Sequence, residues 1–324
     1  MAYAPYEFLW IIKESAYGTA MTGPTAGTDS IYIRLAGANR FTPRPVPGYV
    51  TIPFGGGFAK EGYRKADKYA VAGNLQLELC YSQAQLLLDW AITRINSAQT
   101  SPWTTTEQIG DLASCTVYHG VMRDDGTIKR RRYKGVKAHD WKLSFSAQSS
   151  ALMLTLGLQA QKWDGNAIDS SSDPDSTAFP APADTDFPTD LALFQDTATH
   201  VSIGSTLSYL ESLELTGKND MAGHYYASHF LSFDRLRGRE ATATCGVLYT
   251  ATPDWRAALE GLTNETSSFA MTNGSNTITI DFKGKNLVTQ VNDDLRLGDA
   301  YNQTFTLTNQ WDPSSSADVV FTYA

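Results

Sequence analysis

Cysteine is scarce in this chain, histidine is scattered, and long hydrophobic runs are missing. The three cysteines, Cys80, Cys115 and Cys245, are odd in number and far apart, which excludes a disulfide framework or a CxxC metal knuckle and points to a reducing compartment. No apolar stretch approaches the ~18 residues of a membrane-spanning helix. The N-terminal MAYAPYEFLWIIKESAYGTA sets acidic residues around only five consecutive apolar positions, unlike a secretory signal, so a soluble, unprocessed chain without a membrane partner is expected. His224 and His229 are five apart, on opposite faces of a strand and well separated on a helix, while His119, His139 and His200 lie elsewhere; this spacing does not suit a metal. Gly55-Gly-Gly57 is followed by Phe-Ala-Lys rather than Gly-Lys-Ser/Thr, so it builds no phosphate loop. A G-x-S-x-G elbow is absent. No catalytic, cofactor-binding or metal-ligating residue is therefore assigned.

What is present is ordinary globular material: 42% apolar and 19% charged residues in a chain of 324, long enough for about two domains. The net charge of −8 disfavours a general affinity for nucleic acid phosphates. Its distribution is uneven. Residues 1–165 hold 18 Lys/Arg against 13 Asp/Glu, residues 166–197 none against 7, and residues 198–324 hold 8 against 14. The middle stretch, rich in Ser, Asp, Pro and Ala, reads as a linker. The expected organisation is an N-terminal arm (1–28), a first domain (29–165), the acidic linker (166–197) and a second domain (198–324).

Period-two alternation dominates both halves. Ile31/Ile33/Leu35, Leu75/Leu77/Leu79, Trp141/Leu143/Phe145 and Leu152/Leu154/Leu156/Leu158 mark half-buried strands in the first half; Leu213/Leu215, Ile278/Ile280/Phe282 and Phe305/Leu307 do so in the second. Two helices are expected. One runs over about 83–95, from a Ser82–Gln85 capping box through Leu87, Leu88, Ala91, Ile92 and Ile95. The other is capped by Thr252, starts at Pro253 and carries Trp255, Ala258, Leu259 and Leu262 on one face. The order of elements repeats between the halves. A slide of 168 residues sets Tyr81 over Tyr249 and keeps Leu75, Leu77 and Leu79 in phase with Ala243, Cys245 and Val247.

One charge cluster stands out: Lys129, Arg130, Arg131, Arg132 and Lys134, following the turn signal Asp124-Asp-Gly126. A solvated, charge-guarded hairpin edge is one reading, nucleic-acid binding a second, and docking on an acidic surface of another copy a third. The opposed charge of the two halves favours the third.

The chain resembles the tail tube (major tail) proteins of long-tailed bacteriophages. The likeness rests on Glu14-Ser-Ala-Tyr-Gly-Thr-Ala20, on GNLQLELCYSQAQLLLDWA (73–91) and on YKGVKAHDWKLSFSAQSSALMLTLGLQAQKW (133–163). It implies a mostly β fold of two tandem β-sandwich or β-barrel-type tube domains, each with a flanking helix. In that family six such domains form a ring whose inner sheets close a barrel around the DNA path, and a long hairpin reaches the next ring. With two domains per chain, three chains would suffice, giving a trimeric ring of pseudo-six-fold symmetry.

The stacking hairpin would fall on 42–72, with Pro45, Tyr49, Phe54, Gly56 and Tyr63, and on the shorter 217–240. Implied partners are further copies of the chain, the tape measure, tail terminator and distal tail proteins, and double-stranded DNA passing without specific binding. The implied location is the virion tail, assembled in the host cytoplasm. A carbohydrate-binding module or glycosidase competes on the strength of 14 Phe, 16 Tyr and 7 Trp. So does another capsid or baseplate component.

Overall fold

The computed structural model describes residues 6–20, 24, 26, 29–45, 48–52, 63–68, 70–91, 103–106, 114–123, 128–146, 149–164, 182–193, 201–206, 210–224, 232–248, 254–273, 275–294, 302–310 and 319–323. The chain is mostly β. In order it forms β1 (Tyr6–Ala16), β2 (Thr19–Ala20), β3 (Ser30–Arg34), β4 (Arg40–Pro45), β5 (Gly48–Ile52), β6 (Tyr63–Lys68), β7 (Val71–Glu78), α1 (Tyr81–Ala91), β8 (Trp103–Thr106), β9 (Cys115–Met122), β10 (Ile128–Ser146), β11 (Ser149–Ala160) and β12 (Lys162–Asp164). The second half continues with β13 (Val201–Ile203), β14 (Ser205–Thr206), β15 (Leu210–His224), β16 (Ser232–Leu248), α2 (Trp255–Gly261), β17 (Ser267–Thr272), β18 (Thr277–Phe282), β19 (Lys285–Asp294), β20 (Asn302–Gln310) and β21 (Val319–Tyr323).

Eight strands form one continuous antiparallel path, β4-β7-β11-β10-β15-β16-β20-β19. The first four come from the first half and the last four from the second, built in the same order. Each quartet has a strand pair (β4/β7, β15/β16), a helix after its second strand, and a return through outer strands (β9/β10, β17/β18). The short strands repeat too: β2 folds on β1 as β14 folds on β13, and β12 pairs with β10 as β21 pairs with β18. The turns before β2 and β14 each place a glycine, Gly18 and Gly204, at positive φ.

Three features fix the correspondence. β7 ends at Glu78 and β16 at Leu248. The ladder skips His139 of β10 between Leu158 and Gly157, and Thr289 of β19 between Leu307 and Thr306. A Cβ on Gly135 would strike Gln161, and one on Gly284 would strike Gln310. All three set Leu158 over Leu307, hence Leu75 over Cys245. The expected slide of 168 keeps the buried phase but lies one residue pair off; Tyr249, which it sets under Tyr81, lies outside the described residues.

The apolar sides of these strands meet in one core that includes Leu75, Leu154, Leu143, Leu215, Phe305 and, from the outer strands, Ile11, Ile280 and Phe321. Tyr6–Ala16, expected within an arm, is a fully engaged strand between β3 and β9. Leu9 and Ile11 enter the main core, while Phe8, Trp10 and Ile12 join Tyr118 in a second, aromatic cluster. Both faces are apolar, so period two vanishes from its sequence.

Helix α1 starts at Tyr81, earlier than expected, and Ile92 and Ile95 lie outside the described residues. Its cap comes from elsewhere: Asp190 accepts from the Ser82 N–H and hydroxyl, both at 2.8 Å. The expected capping box is thereby replaced by a carboxylate at the positive end of the helix. Asp254, rather than Thr252, caps α2 by accepting from Arg256 and Ala257. Leu262 closes α2 in the left-handed region and is 67% exposed, so it leaves the apolar stripe.

Part of the acidic stretch packs closely. Ala192 donates to Leu79 O and its carbonyl accepts from Leu152, filling the gap between the ends of β7 and β11. Asp184 pairs with Arg34 at 2.9 Å, and Phe187 lies edge-on to Tyr6 and Tyr32. Residues 182–193 thus clasp the first half.

The halves share more than a ladder. Trp141 covers Gly217, where any Cβ would enter its ring. Buried Asn219 donates to Ala91 O at the end of α1 (2.8 Å) and to Ala138 O (3.0 Å). β8 of the first half pairs with β21. Asn219→Ala leaves two buried carbonyls short of a donor and should cost about 1–3 kcal/mol, read as a lowered melting temperature.

Candidate functional site

The broadest functional feature is the polar face of the eight-strand path. One row runs Arg40, Gln76, Thr155, Lys142, Thr216, Thr242 and Thr308 across seven strands. Hydroxyl pairs on this and the neighbouring row tie the second half of the face together: Thr216–Thr242 at 2.6 Å, Thr244–Thr306 at 3.2 Å and Thr289–Thr308 at 3.0 Å. Such cross-strand pairs stabilise a sheet without adding charge.

Around the junction of the halves the charges on this face oppose one another. Lys142 meets Glu214 at 2.6 Å across the junction of the halves, and Asp140 lies opposite Lys218, which lies opposite Glu240. The His139 ring, 2.6 Å away, holds the Asp140 carboxyl below its usual range against the opposing effect of burial. Apart from Arg40 and Arg44 on the edge strand β4, the face is a mainly neutral carpet.

The path ends at β19 and β4. Each carries main-chain N–H and C=O groups on a side without a ladder partner among the described residues, apart from the start of β19, where Leu287 bridges Asn264 and Asn286 O accepts from Glu265; such a side recruits another strand unless it is guarded. Pro43 and Pro45 interrupt the donors of β4, and proline is tolerated only on an edge.

The basic cluster lies on the N-terminal part of β10, in the outer layer, paired with β9 and β12. Strand alternation divides it. Lys129 and Arg131 share the side of Tyr133, and Arg131 sits opposite His119, whose ring contacts Glu7 and whose pKa is lowered chiefly by burial. Arg130, Arg132 and Lys134 share the other side with Ile128, which packs on the aromatic cluster. The five cations are therefore two groups rather than one patch. The stacking-hairpin residues Pro45, Tyr49 and Tyr63 fall on β4, β5 and β6, and β5 pairs only with β6 among the described residues; Phe54 and Gly56, like Gly55–Gly57, lie outside them.

Burial pushes the Cys80 thiol up to about 12 and raises those of Cys115 and Cys245 as well, which removes their nucleophilic form. Among the described residues no group of three His, Cys, Asp or Glu could hold a metal, and no helix is long and apolar enough to cross a membrane.

The described residues thus form a two-quartet sheet with a mainly neutral polar face and an edge strand at each end. The family model described as phage tail tube protein matches residues 7–318, and the chain belongs to that family. It is a structural component of the viral tail, not an enzyme. No curated protein matches the chain. Sequence reasoning missed the β10–β15 junction and the bare edges, because Gly217 and Asn219 resemble loop residues and a ladder between distant strands leaves no local signal.

Proposed function

We propose that the chain is the repeating unit of the tail tube: two tandem tube domains, β1–β12 and β13–β21, three chains to a ring of pseudo-six-fold symmetry, with rings stacked into the conduit for DNA ejection. The observation that carries this reading is the head-to-tail strand order. Within one chain β10, the last strand of the first quartet, already pairs with β15, the first of the second. The same contact between chains would join β19 to the next β4, a heterologous interface that closes a ring if the rotation allows. Covalent linkage makes half of these contacts intramolecular, which favours assembly.

The polar face would then line the lumen. Threonine and amide side chains with balanced charges offer phosphates little to bind in a salt-dependent manner, so DNA slides. Further copies, the tape measure, terminator and distal tail proteins are the partners of this reading, and host cytoplasm the place of assembly. Mass measurement and end-on imaging of isolated rings test it: three chains are expected, and six full chains would overturn it.

Two surface roles follow. The β5–β6 part of the 42–72 stretch serves ring stacking, while β4 and β7 at its ends belong to the main sheet; hydrogen exchange across β5 and β6 should slow markedly between monomer and tube, and equal exchange in both would remove them from the stack. The Lys129–Lys134 segment, on the outer layer, serves contacts between copies. Replacing Arg130, Arg131 and Arg132 with Glu should weaken polymerisation by a modest factor, since each exposed pair contributes about 0.2–1 kcal/mol. Normal tubes that fail to pass DNA would instead place the cluster on the lumen.

A further inference from the structure

The internal junction is a template for the external one. Phe41 lies opposite Leu75 and Leu213 opposite Cys245, so with Leu75 over Cys245 the positions Arg44 and Pro45 of β4 correspond to Thr216 and Gly217 of β15. On the other side, the skipped residues His139 and Thr289 set Trp141 and Lys142 over Val291 and Asn292. Inside the chain Lys142 is opposite Thr216 and Trp141 opposite Gly217. We infer that β19 of one copy pairs antiparallel with β4 of the next in one register, Asn292 opposite Arg44 and Val291 opposite Pro45. This rests on the ring reading above and adds the residues that meet.

Two further observations fit that register. The first is its stagger. Following the ladder from Leu77 through Leu154, Leu143 and Leu215 arrives at Ala243, whereas the counterpart of Leu77 is Val247, four residues further on. A slip of four residues over four strands, at about 3.3 Å rise and 4.8 Å spacing, is a tilt of about 35°. Closed barrels need about 35–45°. Repeating the internal register at every external junction keeps this tilt uniform around the ring; a register shifted by a residue pair would not.

The second observation is charge. β19 ends in Asn292-Asp293-Asp294, and β4 carries the exposed Arg40 and Arg44. In the inferred register the position of Asp294 falls opposite Thr42, flanked by the rows of Arg40 and Arg44, so an acidic strand end meets a basic strand. Asp293 is held within its own chain by Arg256 and by Gln303.

A disulfide reads the register directly. β4 and β19 stand at opposite ends of the path, seven spacings or roughly 34 Å apart, so a chain carrying both Asn292→Cys and Arg44→Cys cannot bridge itself. The native cysteines are buried. After assembly and mild oxidation, denaturing gels should move most of the chain into dimers and closed trimers. The shifted pairs Asn292→Cys/Thr42→Cys and Asn292→Cys/Arg40→Cys should stay mainly monomeric.

Intact tubes in which a shifted pair bridges best, or in which none bridges, would overturn the register while leaving the ring in place. Wild-type protein that never polymerises would overturn the ring itself. An image reconstruction of wild-type tubes gives the same reading without substitution, with Asn292 beside Arg44 of the neighbour expected and any other neighbour refuting it.

Discussion

Lysine at both Gln290 and Asn292 should abolish tube formation while leaving the monomer intact. Both positions are exposed on the polar side of β19, and surface changes of this kind usually alter stability by no more than about 0.5 kcal/mol. In the inferred register Asn292 faces Arg44 of the next copy, so the substitutions set cation against cation at every external junction. Like charges brought together across an interface cost several kcal/mol, which corresponds to a loss of about a hundredfold or more in the association constant. A ring needs each of its junctions, so the loss multiplies. Adding Arg44→Glu to the same chain should restore assembly, because the new pair is opposite in sign. Sedimentation and negative-stain imaging at low salt would show both effects. Normal polymerisation of the double-lysine variant, or failure of Arg44→Glu to rescue it, would separate β19 from β4.

How much of this was legible beforehand depends on where each signal resides. Strands with one wet face announced themselves: the leucines of β11 and the Leu213/Leu215 pair of β15 alternate because water lies on the other side. β1 gave no such sign, since Leu9 and Ile11 enter one core and Phe8 and Trp10 another. Composition marked residues 166–197 as linker, yet 182–193 are held by a few specific bonds from Asp190, Asp184 and Ala192, and a few bonds barely change composition. Helix α1 is legible in its apolar stripe but its cap is not, because a carboxylate 108 residues away displaces the local one. The repeat is legible in its phase, while its register lies one pair away from the best match of residues. Phase is written in alternation; register is set by skipped residues and bends such as His139, Thr289, Gly135 and Gly284, which alternation does not record. The bare edges, on which assembly turns, became visible only once the strand order was known.

The Glu14-Ser-Ala-Tyr-Gly-Thr-Ala20 segment carries the second large effect. Its glutamate is the hub of the hairpin between β1 and β2: the carboxylate accepts from the backbone N–H of Gly18 (2.7 Å) and of Gly135 (2.8 Å), and from the hydroxyls of Thr116 (2.7 Å) and Ser114. Four donors on three parts of the chain converge on one side chain. Two of them belong to glycines at positive φ, where the backbone can turn its N–H toward the carboxylate and where a Cβ at Gly135 would strike Gln161 and Tyr17. Hydrogen bonds to a charged acceptor contribute about 1.5–3 kcal/mol each, and buried donors left alone cost about 1–3 kcal/mol. Because the four act as one network their losses do not add, so Glu14→Ala should destabilise the fold by about 3–4 kcal/mol, in the range reserved for broken buried networks. Glu14→Gln keeps the length and one acceptor oxygen and should lose about half as much. Chemical denaturation of the monomer reads both values, and a Glu14→Ala variant within about 0.5 kcal/mol of the parent would show that the hairpin is held by its ladder alone.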